Sequence, residues 1–171
     1  MEKLQRIDDL GFDIVRATEA AALGAGRWMG LGQREDADNA AAGAMHGVLN
    51  SIEIDGHIVV GEDTKLGEEA PLANAQRVGT GSGPSMDVVP DPIDGRTLLA
   101  QGRLGAISVA AIAPRGSMWS PPADVAYMDK LVVSQRAAGA LVEECMDAPA
   151  AWTLALVARA EEKEVRDLVG F

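Results

Sequence analysis

The chain has 171 residues, enough for one compact domain with a core and too few for two independent domains of ordinary size. Hydrophobic residues make up 47% and charged residues 24%, which excludes a mainly disordered chain. A formal net charge of -11 disfavours binding to a nucleic-acid backbone or an anionic membrane surface, because the far field repels both.

The opening MEKLQRIDDLGFDI places acids near its start and has no long apolar run, so it reads as neither a secretory signal nor a membrane anchor. Ile7, Leu10, Ile14, Val15, Thr18, Ala22, Ala25 and Trp28 recur at helical spacing and predict a first helix closed by Gly30-Leu31-Gly32. A second helix is expected over ADNAAAGAMHGVLNSI, with Ala41, Met45, Val48, Leu49 and Ile52 on its buried stripe and Asp36 or Asp38 as N-cap.

The β-branched run HIVVGED, from His57, predicts a buried strand that ends in acid. Residues 67–85 are rich in turn formers and read as a loop or hairpin, including VGTGSGP, whose glycines suit a turn better than a phosphate cradle. MDVVPD predicts a second acid-ended strand, with Pro90 at its end or on an edge. GAISVAAIA, residues 105–113, predicts a third, and YMDKLVV from Tyr127 a weaker fourth. From Pro149 the chain turns helical through Trp152, Leu154, Leu156, Val157 and Ala160, continuing into a solvated EEKEVRD face. The order of elements predicts a layered α/β or α+β single domain over residues 1–171.

The lone Cys145 cannot form an internal disulfide, which points to a cytoplasmic setting and a packing role. His46 and His57 read as structural, and Trp28, Trp119 and Trp152 as packing residues.

The stretch DVVPDPIDGRT holds the candidate chemistry. Asp91 at a strand end and Asp94 after a tight turn can address one ion, joined by Glu62 from the other acid-ended strand. Carboxylates clustered there need a cation, and hard oxygen donors select Mg2+ or Mn2+ over zinc. Gly95 lets backbone amides approach a phosphate. A helix cap or an acidic turn produces the same pattern.

The blocks RATEAAALGAGRWMG, ADNAAAGAM, IDGHIVVGED, EEAPL, VGTGSGP, DVVPDPIDGRTLLAQG and YMDKLVV occur in an order and spacing that resemble class II fructose-1,6-bisphosphatase, the GlpX type, over nearly the whole chain. The resemblance implies the layered αβαβα fold of the lithium-sensitive sugar and inositol phosphatases. It also implies hydrolysis of a sugar phosphate, with divalent metals polarising the phosphate and activating a water. Carried over by motif, it makes Asp38, Glu62 and Asp91 catalytic, and Asp38, Glu62, Asp91 and Asp94 metal ligands. Arg34, Gly95, Arg96, Thr97 and Tyr127 become candidate substrate contacts. The resemblance is to the family's N-terminal lobe. The C-terminal lobe, which supplies a further metal-binding glutamate and most substrate contacts, is absent from this sequence, and a homodimer would cover the face it leaves.

Two residues depart from the family pattern. Thr64 stands for the second glutamate of GEGE, and Arg96 for the threonine of DPIDGT that helps activate water. A guanidinium accepts no proton, and Thr97 sits about 100° further round a helix. Three roles are open to Arg96: pairing with Asp91, Asp94 or Glu62, clamping a substrate phosphate, or standing in solvent without one. A catalytically silent or repurposed domain is the alternative function.

Overall fold

The computed structural model describes residues 2–62, 70–119 and 129–169, with side chains from Leu10 onward. Two compact units divide the chain, Met1–Pro121 and Pro122–Phe171.

The first unit is a layered α+β structure. Helix α1, Glu2–Gly26, packs on α2, Arg34–Leu49, and both lie against a sheet built from β1 (Asp55–Ile58), β2 (Arg77–Val78), β3 (Ser85–Asp94) and β4 (Ile107–Pro114). The strand order is β2-β1-β3-β4, with β1 parallel to β3 and the other pairs antiparallel. A short helix α3, Arg96–Ala100, joins β3 to β4.

The core seam of α1 is Leu10, Ile14, Ala17, Ala21 and Ala25. The sequence pattern places Val15 and Ala22 on that seam, yet Val15 is 51% exposed and Ala22 is also exposed. Small residues win because α1 and α2 run close together. A Cβ on Gly24 would stand 2.9 Å from the Ala40 carbonyl oxygen and 3.3 Å from Ala44 Cβ. Gly24→Val is therefore expected to prise the two helices apart and cost about 2 kcal/mol, read as a lower urea midpoint at unchanged m. On α2, Ala41, Met45, Leu49 and, beyond its end, Ile52 are buried as the stripe predicts. Its N-cap is Gln33, so Asp36 falls in the first turn and Asp38 one turn inside, facing the core.

Strand β1 stops at Ile58, short of the predicted HIVVGED run. The chain then turns under local bonds: the Gly61 amide donates to Asn74 Oδ1 at 2.6 Å and the Glu62 amide to the Leu72 carbonyl at 3.0 Å.

Strand β3 continues through Pro90, which is not at its end, and the edge placement expected from the sequence holds on the β1 side. Backbone parity explains why. The carbonyls of Pro84 and Val88 accept from β1-side amides, while that of Ser85 accepts from Arg115 on the β4 side. Even-numbered residues thus face β1, whose pairing with β3 ends at Val88. The missing donor of Pro90 points where no ladder continues, while β4 still pairs opposite it.

Asp87 is buried inside this strand, where its Oδ2 accepts from the amides of Gly116 at 2.7 Å and Met118 at 3.2 Å. Arg115 Nε lies 3.5 Å from Oδ1. The carboxylate closes the turn after β4.

In the second unit, α4 (Gln135–Ala138) packs on α5 (Ala150–Ala160), and the carbonyl of the buried Cys145 accepts from the Thr153 hydroxyl at 3.0 Å. Ser134 bonds Glu161, and Arg136 pairs with Glu162. Pro149 caps α5, which ends at Ala160, and the charged continuation is a turn and a short 3-10 segment, Val165–Asp167, in place of the expected helix. No strand forms over Asp129–Val133. The packing role expected of the tryptophans holds for Trp28, against the core, whereas Trp119 and Trp152 are exposed. His46 shares a hydrogen bond with Asn50, and His57 lies in β1.

Candidate metal and phosphate site

Asp38 lies on the inward face of α2 between Ala37 and Ala41 and is 3% exposed. A carboxylate so buried needs a partner. Arg96 supplies it from 58 residues away, its Nη1 donating to Asp38 Oδ2 at 2.9 Å. Gly95 makes this possible by adopting φ 87, a left-handed turn that starts α3 immediately. A Cβ there would also meet the Ala106 Cα at 3.3 Å. The far end of α3 is tied to the segment leading into α2, since the Gly30 and Gly32 amides donate to the carbonyls of Leu99 and Ala100, each at 2.9 Å. Arg96 and Asp38 therefore stand on backbones already held in register.

The Arg96 guanidinium is held above its usual pKa, first by the hydrogen bond to Asp38, with burial opposing and the charges of Asp38, Glu35 and Glu62 adding to it. Glu62 is buried just past β1 and, through its charge, belongs to the same neighbourhood. Glu35 was not singled out in the sequence, where it reads as an ordinary acid in a first helical turn. Among the roles foreseen for Arg96 is neutralisation of acids from within the fold, with Asp91, Asp94 or Glu62 as partner; its hydrogen bond goes instead to Asp38.

Asp91 and Asp94 are positioned by β3 itself, with no tight turn between them. They oppose Val109 and Ile107, so one extra residue on β3 lies between the pair. In a regular strand, a spacing of three would send them to opposite faces; the bulge sets both against β4 residues of one face. Asp91 is half-buried and Asp94 exposed.

Arg34 and Arg96 line one cleft of about 400 Å³ with Gly32, Gln33, Glu35 and Asp36. Thr97 is exposed on α3, one residue round from Arg96. Thr64 and Tyr127 lie outside the described residues. The VGTGSGP glycines are structural: the amides of Thr80 and Gly81 donate to the Ile52 and Ile54 carbonyls, which leaves neither for an anion.

A divalent ion does not fit the acids as they stand. Asp38 is already bonded to a cation, and among the described residues no three His, Cys, Asp or Glu side chains form a group able to hold a metal.

The family model for bacterial fructose-1,6-bisphosphatase, glpX-encoded, matches residues 8–171. The chain belongs to that family. It is 38% identical over 160 residues to fructose-1,6-bisphosphatase 1 class 2 of Escherichia coli (strain K12), covering 94% of this chain and 46% of the relative. Fructose-1,6-bisphosphatase class 2 of Escherichia coli O6:H1 and that of Shigella flexneri match with the same identity and coverage. The chain thus spans about half the length of these fructose-1,6-bisphosphatases. Among its described residues, no helix is long and apolar enough to cross a membrane.

Proposed function

We propose that the chain is the N-terminal lobe of a sugar-phosphate phosphatase that hydrolyses the 1-phosphate of fructose 1,6-bisphosphate. The observation that carries this reading is the family match over residues 8–171. The cleft supports it, because Arg34 and Arg96 offer two guanidinium groups to a phosphate at the start of α2. The reading takes Mg2+ or Mn2+ as cofactor, through Glu62, Asp91 and Asp94, with Asp38 joining them only when Arg96 turns outward. It places the protein in the cytoplasm as a homodimer, with Thr97 and Tyr127 among the substrate contacts. Arg96 binds and orients phosphate in this scheme and takes no proton.

A second reading, a silent family member that retains the fold and acts by binding, is favoured by the bond from Arg96 to Asp38. Phosphate release from fructose 1,6-bisphosphate separates the two. The first reading expects release that depends on added Mn2+ or Mg2+ and falls at least about 100-fold in Asp91→Asn. Binding of the bisphosphate without release of phosphate would establish the second.

A further inference from the structure

Arg96 and a divalent ion would compete for the charge of one buried carboxylate, Asp38. A divalent ion takes carboxylate oxygens at about 2.0–2.6 Å. Asp38 Oδ2 already accepts from Arg96 at 2.9 Å, and the side chain is 3% exposed, leaving little room to turn away. An ion seated on this carboxylate would lie within roughly 6 Å of the guanidinium, close enough in a buried setting for the two positive charges to repel. Each weakens the hold of the other.

We propose that Arg96 is an internal competitor for the cation site: it neutralises Asp38 from within the fold and keeps Mg2+ and Mn2+ off that carboxylate. Three features make the competition effective. The pair joins α2 to the start of α3, and the amides of Gly30 and Gly32 hold those elements together, so the guanidinium is delivered without ordering a loop. Gly95 fixes the direction in which position 96 projects. Glu35, which lines the same cleft, and Glu62 add their charge to that of Asp38. Arg96 is itself 41% exposed, which gives it a route outward. The cation is therefore outcompeted and not sealed off, and its binding is weakened in proportion to the strength of the pair.

The inference rests on the phosphatase reading only for the identity of the cation. Its test reads no turnover. Mn2+ binding to the full chain is followed by the loss of free-ion electron paramagnetic resonance signal, for wild type, Arg96→Thr and Arg96→Gln. The last keeps a neutral donor near Asp38 should the threonine variant fold poorly. Both variants are expected to bind Mn2+ at least ten-fold more tightly than wild type. The double variant Arg96→Gln/Asp38→Asn is expected to lose that gain. In thermal melts, Mn2+ should raise the midpoint of the single variants by more than that of wild type. Equal Mn2+ affinity in wild type and both single variants would overturn the proposal, as would a gain that survives loss of the Asp38 charge. Failure of phosphate release in every variant counts against the phosphatase reading alone.

Discussion

Asp87→Ala is expected to lower the unfolding free energy of the chain by about 3 kcal/mol, an effect large against the roughly 5–15 kcal/mol that holds a typical domain together. The carboxylate is 1% exposed and accepts from two backbone amides, those of Gly116 and Met118, while Arg115 stands beside it. Alanine removes all of these acceptors at once. The amides are part-buried and do not regain full hydration, so their desolvation cost remains without its compensation. Arg115 loses less, because its side chain is 38% exposed and it also donates to the Asp55 carbonyl at 2.9 Å. The cost therefore falls at the low end of what breaking a buried ion pair entails. Asp87→Asn keeps one acceptor and is expected to recover part of the loss. Urea unfolding of the three proteins checks the series. A loss below about 1 kcal/mol for the alanine variant would show that the turn after β4 does not depend on this side chain.

The same residue shows where the sequence stops being legible. MDVVPDPID reads as a strand ending in candidate ligands, so attention goes to Asp91 and Asp94, and Asp87 looks like an interruption. Its partners lie 29 and 31 residues downstream, in a turn whose path no local pattern gives. What could be read were features set by nearest neighbours: two amphipathic helices, β-branched strands, and a glycine-rich connection. The α2 stripe of Ala41, Met45, Leu49 and Ile52 came out in place because periodicity alone determines it. The α1 seam shifted toward Ala17 and Ala21 because helix proximity, not hydrophobicity, decides which side of α1 faces α2. Pro90 within β3 meets the edge alternative on one side only, since whether a missing donor matters depends on where a neighbouring strand ends.

The candidate site divides along the same line. Residue chemistry excluded Arg96 as a base and offered neutralisation of acids as one of three roles, with Asp91, Asp94 or Glu62 as the partner. Its partner was beyond reach, because choosing among four carboxylates requires knowing that α3 is tied to the approach to α2. Burial narrows the choice to Asp38 and Glu62, 3% and 5% exposed, whereas Asp94 keeps its hydration, and the direction in which α3 projects Arg96 selects Asp38. A pattern match assigns all four acids to a metal; desolvation assigns one of them to an arginine first.

The second large effect belongs to the glycine loop, where Gly83→Ala is expected to cost about 4 kcal/mol and Gly81→Ala only about 1 kcal/mol. Both glycines have positive φ, 95° and 77°, so an L-alanine meets the same left-handed penalty at each. Their surroundings differ. A Cβ on Gly83 would lie 2.1 Å from the Glu53 carbonyl oxygen and 2.9 Å from its carbon, both backbone atoms that no rotamer change can move. Around Gly81 nothing lies within 4 Å. The difference between the variants therefore isolates the steric cost of pushing the loop off the segment that enters β1. That segment carries Ile54, fully buried in the core, so the displacement is transmitted to the sheet that positions Asp91 and, beyond β1, Glu62. Comparable losses in the two variants, measured by the same denaturation, would mean that the loop gives way freely and that its glycines answer only to backbone conformation.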